Sequence, residues 1–167
     1  MNTEKREDWY ANADNWEVDF VNKFKDKFSV IINPSKEVDK FSPDLYMLKS
    51  YESADLKVLR EPFYTSKKVY GINPQDCWTF NPSDFFDYGI KHSDKFGIFI
   101  WKRFLKSEKF GVKIESEESV YYVSLFKLKS IIIKHGKIHH YIRRMNDTNG
   151  NSYGSYGIDL RLLTKIL

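Results

Sequence analysis

Two aspartates and a lysine carry the chemistry most directly readable in this sequence. Asp44 stands in Ser42-Pro43-Asp44-Leu45 and Asp55 in Ala54-Asp55-Leu56-Lys57, eleven positions apart. Leu45-Tyr46-Met47-Leu48 reads as one short strand and Asp55-Leu56-Lys57-Val58-Leu59 as another. Side chains alternate faces along a strand, which puts Asp55 and Lys57 on one face and Leu56 and Val58 on the other. A tight turn at Lys49-Ser50 places Asp44 directly opposite Asp55, although Lys-Ser is not a favoured two-residue hairpin pair. Cross-strand neighbours have Cβ atoms about 4.5–5.5 Å apart, and like charges there repel. A bound cation removes that repulsion. Two carboxylates and a lysine on one hairpin are the minimum for holding a divalent metal against a phosphate.

The flanking elements have to position this hairpin. From Asp8 to Phe28 the apolar residues Trp9, Ala13, Trp16, Phe20, Phe24 and Phe28 follow helical spacing, with Glu17 at the border of the stripe. Val30-Ile31-Ile32 predicts a strand closed by Asn33-Pro34-Ser35. After the hairpin, Glu61-Pro62 ends or kinks the second strand. Phe63 to Phe80 is aromatic and broken at Gly71, Asn73 and Pro74, with a strand from Cys77 to Phe80. Asn81-Pro82-Ser83-Asp84 starts a short helix over Phe85 to Lys91. Phe96 to Leu105 reads as a central strand, followed by a charged loop from Lys106 to Glu118. Val120 to Phe126 is open between strand and helix. Ser130 to Ile133 and Lys137 to Arg144 read as strands about His135-Gly136, and Asn146 to Gly157 as loop. Asp159 caps a last helix that carries Leu160, Leu163 and Leu167 inward. This order predicts an α/β domain, a central mixed sheet flanked by helices.

Composition narrows the classes. A chain of 167 residues suits a single domain, 1–167, with a real core. Its aromatic share of 17% excludes a disordered chain. A net charge of +4, mixed in sign along the chain, suits a polyanionic partner without demanding one. The single cysteine, Cys77, excludes an intramolecular disulfide and fits a reducing compartment. The first eight residues are polar and no apolar run approaches the ~20 residues of a membrane span, so a soluble, cytoplasmic protein without membrane association is expected. Scarce alanine beside abundant Lys, Asn, Ile and Phe hints at an AT-rich bacterial or phage genome.

Helix, three strands, helix, strand (α-β-β-β-α-β) is also the core order of the PD-(D/E)XK nucleases, the restriction-endonuclease-like superfamily, which the chain resembles from Trp9 to Leu105. Pro43-Asp44 matches the first element of their motif and Asp55-Leu56-Lys57 the second, on the second and third strands where the superfamily carries them. Glu17 resembles the first-helix glutamate that joins the metal site in many of these enzymes. From Lys106 onward, extra C-terminal strands and a short helix have no counterpart in the common core. The Asp-Leu-Lys strand followed by Pro-Phe, the aromatic stretch beyond it and the Asn-Asp-Thr-Asn-Gly-Asn loop look like small nucleases of phages or mobile elements. The resemblance implies hydrolysis of phosphodiester bonds in DNA with Mg²⁺ or Mn²⁺. Asp44, Asp55 and the backbone carbonyl of Leu56 would hold the ion, and Glu17 would bind or orient a second. The metal would activate water and offset charge on the scissile phosphate. Lys57 would orient that water or stabilise the transition state. Arg60, Lys67, Lys68 and Lys102 are the candidates for neutralising phosphates elsewhere. Because small nucleases that cut both strands commonly pair, a homodimer is a further expectation.

Two other classes compete. One is an inactive nuclease-fold module that binds nucleic acid or protein in a phage or defence system. The other is an unrelated α/β interaction protein in which the motif is accidental, a capped strand start beside an exposed ion-paired strand. Asp44, Asp55 and Lys57 standing together favour an active site over a degenerate one. The remaining chemistry-bearing residues read more simply. His139 and His140 are adjacent, so on a strand they face opposite ways and cannot chelate together. His92 and His135 lack partners at a metal-binding spacing, and Cys77 reads as a small packed residue. Asp147-Thr148-Asn149-Gly150-Asn151 echoes a calcium loop but lacks its later glutamate, and reads as a turn. Tyr64, Tyr70, Trp78 and Phe80 read as core or rim, with base stacking the alternative. There is no Gly-rich phosphate loop and no Gly-x-Ser-x-Gly elbow.

Overall fold

The computed structural model describes the backbone of residues 6–140 and 154–167, and their side chains from residue 15 onward. The expectations for the Trp9 and Ala13 side chains, for a strand over 141–144 and for a turn at 147–151 fall outside what is described. The chain is α/β and divides into two compact units, Met1–Val58 and Leu59–Leu167. Among the described residues no helix is long and apolar enough to cross a membrane.

The first unit begins with helix α1 (Arg6–Phe28), which packs on strand β1 (Val30–Ile32). Residues four apart on a helix are neighbours. The rings of Phe20 and Phe24 accordingly lie 5.1 Å apart, and those of Phe24 and Phe28 5.3 Å. Phe20 and Phe24 are buried, as the stripe predicts. Ser29 ends the helix in the left-handed region (φ 54°), and its carbonyl accepts a 2.8 Å bond from the Leu48 N–H. β1 pairs antiparallel with β2 (Leu45–Met47), and β2 with β3 (Glu52–Leu59), in the register Leu45↔Ala54, Tyr46↔Ser53, Met47↔Glu52. One step further along, that register sets Asp44 opposite Asp55. The connection is not the two-residue turn. It is the four-residue loop Leu48 to Tyr51, closed by a 2.9 Å bond from the Tyr51 N–H to the Met47 carbonyl, with Tyr51 at φ 59°. Lengthening the turn by one residue on each side leaves the pairing unchanged.

In the second unit, β5 (Gly97–Phe104) is buried along almost its whole length and pairs antiparallel with β8 (Glu117–Ser124), which pairs with β11 (Thr164–Lys165). A second antiparallel sheet has the order β4 (Cys77–Phe80), β10 (Gly154–Asp159), β9 (Lys137–His140). Trp78, Phe80, Ile98, Ile100, Val123, Leu128 and Ile158 are among the residues that form one core. Short helix α2 (Ser66–Val69) precedes β4, and α3 (Pro82–Lys91) starts at the Asn81-Pro82 signal.

Several expectations are corrected here. Ser130 to Ile133 is not a strand but part of helix α4 (Leu125–His135). Ser124 caps that helix by accepting from the Lys127 N–H, and Leu125, Leu128, Ile131 and Ile132 bury one face at helical spacing. Val120 to Phe126 therefore contains the end of β8 and the start of α4. The charged stretch after Leu105 is not plain loop: it forms the hairpin β6 (Ser107–Lys109) and β7 (Val112–Ile114), turning at Phe110-Gly111, both at positive φ. The final helix is a single 3-10 turn, Leu160–Leu162, capped by Asp159; Leu160 and Leu163 are buried, but Leu167 is not. Gly154 to Gly157 belongs to β10 rather than to a loop, because its glycines allow close packing. A Cβ on Gly157 would overlap the ring of Tyr70, whose hydroxyl bonds Ser155 Oγ at 2.6 Å.

Gly157→Ala is therefore expected to lower stability by about 1–3 kcal/mol in chemical denaturation. Gly89→Ala, within α3 and with open space around its Cβ, should raise it by about 0.5–1 kcal/mol. Equal effects of the two substitutions would contradict the close approach of β10 to Tyr70.

Candidate carboxylate–lysine site

The site is assembled entirely within the first unit, and it begins with a turn. Asn33, buried at the end of β1, accepts a 3.1 Å hydrogen bond from the Ser35 N–H through its side chain. With Pro34 in the first position, this caps the 3-10 turn Pro34–Glu37. The Asn33 N–H donates to the Asp44 carbonyl at 3.0 Å, which ties the turn to the start of β2. Lys36 is thereby placed between two carboxylates. Its ammonium donates to Glu17 Oε1 and Oε2 at 2.6 and 2.5 Å and to Asp44 Oδ1 at 2.9 Å. Burial disfavours the charged ammonium, but the hydrogen bonds and attraction of Glu17 and Asp44 outweigh that and hold the Lys36 pKa above the usual lysine value.

Asp44 links this group to the hairpin. Its Oδ2 accepts from the Leu56 N–H of β3 at 2.9 Å. The register also sets its carboxylate opposite Asp55, close enough for each to feel the other's charge. Asp55 is buried, and its Oδ2 lies 2.8 Å from Lys57 Nζ. Lys57 therefore projects on the same face as Asp55, two residues along the strand. Burial, above all, raises the Asp55 pKa to about 6; Lys57 works against that rise, and the charge and hydrogen bond of Asp44 add to it. Glu17, Lys36 and Asp44 thus form one chain of hydrogen bonds, and the Asp55–Lys57 pair stands beside it across the hairpin.

The donor set suits a divalent ion. Two adjacent carboxylates on one face, with backbone close by at Leu56, match the few protein ligands that Mg²⁺ or Mn²⁺ takes beside water and phosphate oxygens. Among the described residues, no group of three His, Cys, Asp or Glu side chains is arranged to hold a metal by itself. Lys36 stands between Glu17 and Asp44. Sequence reasoning missed this lysine. The available signal was Asn33-Pro34-Ser35, read as a strand terminator, which is also a cap signature that turns the next residue back toward the strand.

The expected phosphate-neutralising residues all belong to the second unit. Arg60, Lys67 and Lys68 are exposed. Lys102 is fully buried: its ammonium lies 2.6 Å from Glu117 Oε2 and 3.0 Å from the Gln75 carbonyl, so it serves the interior of that unit and is not presented to a ligand. Despite partial burial, Lys102 and Gln75 hold the Glu117 carboxyl well below its usual range, at about 2. Cys77 is buried and its thiol is pushed up to about 11, chiefly by burial. Tyr70, Trp78 and Phe80 are buried, and Tyr64 bonds Ser107 Oγ through its hydroxyl at 2.7 Å. His92 stacks on Phe96 with centroids 4.1 Å apart. Neither the protein-family models nor the curated proteins compared with this sequence match it.

The raised pKa of Asp55 has a consequence for the metal-free protein. The folded state holds this proton more tightly than the unfolded chain, whose aspartate pKa is about 3.9. The stability so gained is complete below that value and is lost as pH rises through about 6. Asp55→Asn, which keeps the shape and removes the charge, is expected to be about 1–2 kcal/mol more stable than the native protein at pH 8, with the difference fading toward pH 4. Urea denaturation at the two pH values reads this directly. A difference that does not change with pH would contradict the buried, carboxyl-paired setting of Asp55.

Proposed function

We propose that this protein is a metal-dependent nuclease with a PD-(D/E)XK-like core that hydrolyses phosphodiester bonds in DNA. The observation that carries the proposal is the register of β2 on β3. It brings Asp44 and Asp55 together on one face, with Lys57 beside Asp55 and Glu17 linked through Lys36. Element order adds support, since a helix, three antiparallel-paired strands and further helices and strands follow one another as in that superfamily. The chain departs from the expected order by inserting α2 and β4 before α3 and β5.

Asp44 and Asp55 are the residues that would hold Mg²⁺ or Mn²⁺, assisted by the Leu56 carbonyl. The bound ion would supply an activated water and offset charge on the scissile phosphate. The chain itself does the rest. The Leu56 N–H fixes one oxygen of Asp44 and so orients its carboxylate toward Asp55. Lys57, only partly buried, keeps a cation at the mouth of the site, where it can stabilise charge on a phosphate or orient the attacking water. Asp55, with its pKa near 6, is ionised at neutral pH and above. Arg60, Lys67 and Lys68 remain the exposed candidates for contacting the DNA backbone. Expected accompaniments are a cytoplasmic setting and pairing into a homodimer.

A second reading has one specific observation in its favour. Lys36 already pairs with both Glu17 and Asp44, so the fold offsets part of the negative charge at this site without a metal. That suits an inactive nuclease-fold module binding nucleic acid or protein.

Incubating the protein with supercoiled, linear and single-stranded DNA in Mg²⁺ or Mn²⁺ separates these readings. Cleavage is expected, and Asp55→Ala and Lys57→Ala should each reduce it by about a hundredfold or more. Cleavage surviving in both variants would refute the assigned site. Absence of cleavage with every substrate and ion would favour the binding module.

A further inference from the structure

We infer that Lys36 is a built-in counter-ion of the carboxylate site that a divalent metal must displace from Asp44, and that Glu17 is the anchor of this lysine rather than a metal ligand. The inference rests on the metal-binding reading above and deepens it, because it names what sets the metal affinity.

The geometry assigns these roles. An ammonium group has three donors. Those of Lys36 are matched by three acceptor oxygens, two on Glu17 and one on Asp44. Glu17 is thus engaged through both oxygens by one lysine and is itself buried. Asp44 gives Lys36 a single oxygen and gives the Leu56 N–H the other. Its remaining lone pairs and those of Asp55 are what a metal could take. A dication there would lie close to the ammonium, and two cations at such separations in a partly buried site repel strongly. Entry of the metal therefore breaks the Lys36–Asp44 contact, while the bidentate hold of Glu17 keeps the lysine attached to α1.

The surroundings allow that movement. Pro34, Ser35 and Glu37, the other residues of the turn, are exposed, and the Lys36 stem is flexible. Without Lys36, Glu17 and Asp44 would be two unpaired, largely buried carboxylates, a strongly unfavourable arrangement. The lysine therefore keeps the metal-free fold intact and sets a threshold for filling the site. Once released from Asp44, its ammonium remains close by, available to a phosphate oxygen beside Lys57.

Binding of Mn²⁺ alone, followed by the electron paramagnetic resonance signal of the free ion, tests this without any reference to cleavage. Lys36→Met is expected to bind Mn²⁺ about ten- to a hundredfold more tightly than the native protein, the range set by one hydrogen bond to an ionised group. Lys36→Arg, which keeps the charge, should stay near the native Kd. Adding Glu17→Gln to Lys36→Met should leave Kd where Lys36→Met put it. A Lys36→Met Kd equal to or weaker than the native one would overturn the counter-ion role, and a tenfold loss on adding Glu17→Gln would overturn the anchor role. If Lys36→Met alone does not fold, as judged by circular dichroism, the double variant takes its place and should still bind Mn²⁺ more tightly than the native protein. Native protein that cleaves DNA and binds Mn²⁺ beside an unchanged Lys36→Met would sink this inference and leave the nuclease reading standing. Failure of native, Lys36→Met and double variant alike to bind Mn²⁺ would sink both.

Discussion

Three carboxylates share one small volume in the first unit because two ammonium groups stand among them. Glu17 arrives from α1, Asp44 from the start of β2 and Asp55 from β3, while Lys36 bridges the first two and Lys57 flanks the third. Removing an ionised carboxylate from water costs several kcal/mol unless it is paired and hydrogen-bonded. The placements of helix, turn and hairpin are therefore conditions on one another. If α1 rotated, Glu17 would leave Lys36; if the 3-10 turn lost its cap, Lys36 would leave both acids. The charge pattern that makes the site chemically interesting is also a constraint on how this unit can fold.

That constraint acts on strands whose pairing is otherwise short. β1 and β2 contribute only three residues each, and their register is fixed by backbone bonds together with the burial of Val30, Leu45, Ala54 and Leu56. A slip of one residue would carry every side chain to the opposite face. Here it would push Asp55 and Lys57 into the apolar layer and bring Leu56 and Val58 out on the polar face. Apolar burial and ion pairing select the same register, which is the agreement between levels expected of a well-specified fold.

The hairpin was legible because its information is local. Alternation along Asp55 to Leu59 and the eleven-position offset of the two aspartates define the register whatever the turn, since loops that differ by one residue on each side give the same pairing. Lys36 was illegible for the opposite reason. Its partners are Glu17 and Asp44, the first 19 positions away and on another element, and no periodicity connects them. Lys102 shows the same limit: a lysine on a β-rich stretch reads as exposed, yet Glu117 and the Gln75 carbonyl allow its complete burial. In the second unit Ser130 to Ile133 reads as a strand because a short apolar run fits either periodicity, and the marks of the helix are Ser124 and Gly136 at the ends of α4. β10 was hidden because glycine lowers strand propensity in general, whereas here it makes room for the ring of Tyr70.

The loop from Leu48 to Tyr51 bears on how this protein could be engineered. Leu48, Lys49, Ser50 and Tyr51 are all exposed, and β2 and β3 pair in register from Met47 and Glu52 inward, beyond the loop tip. Lengthening a flexible surface loop adds little closure entropy. An epitope, a fluorophore-bearing peptide or a protease recognition sequence inserted between Lys49 and Ser50 would thus report on the hairpin from its outer end, with the two aspartates at the far end left in place.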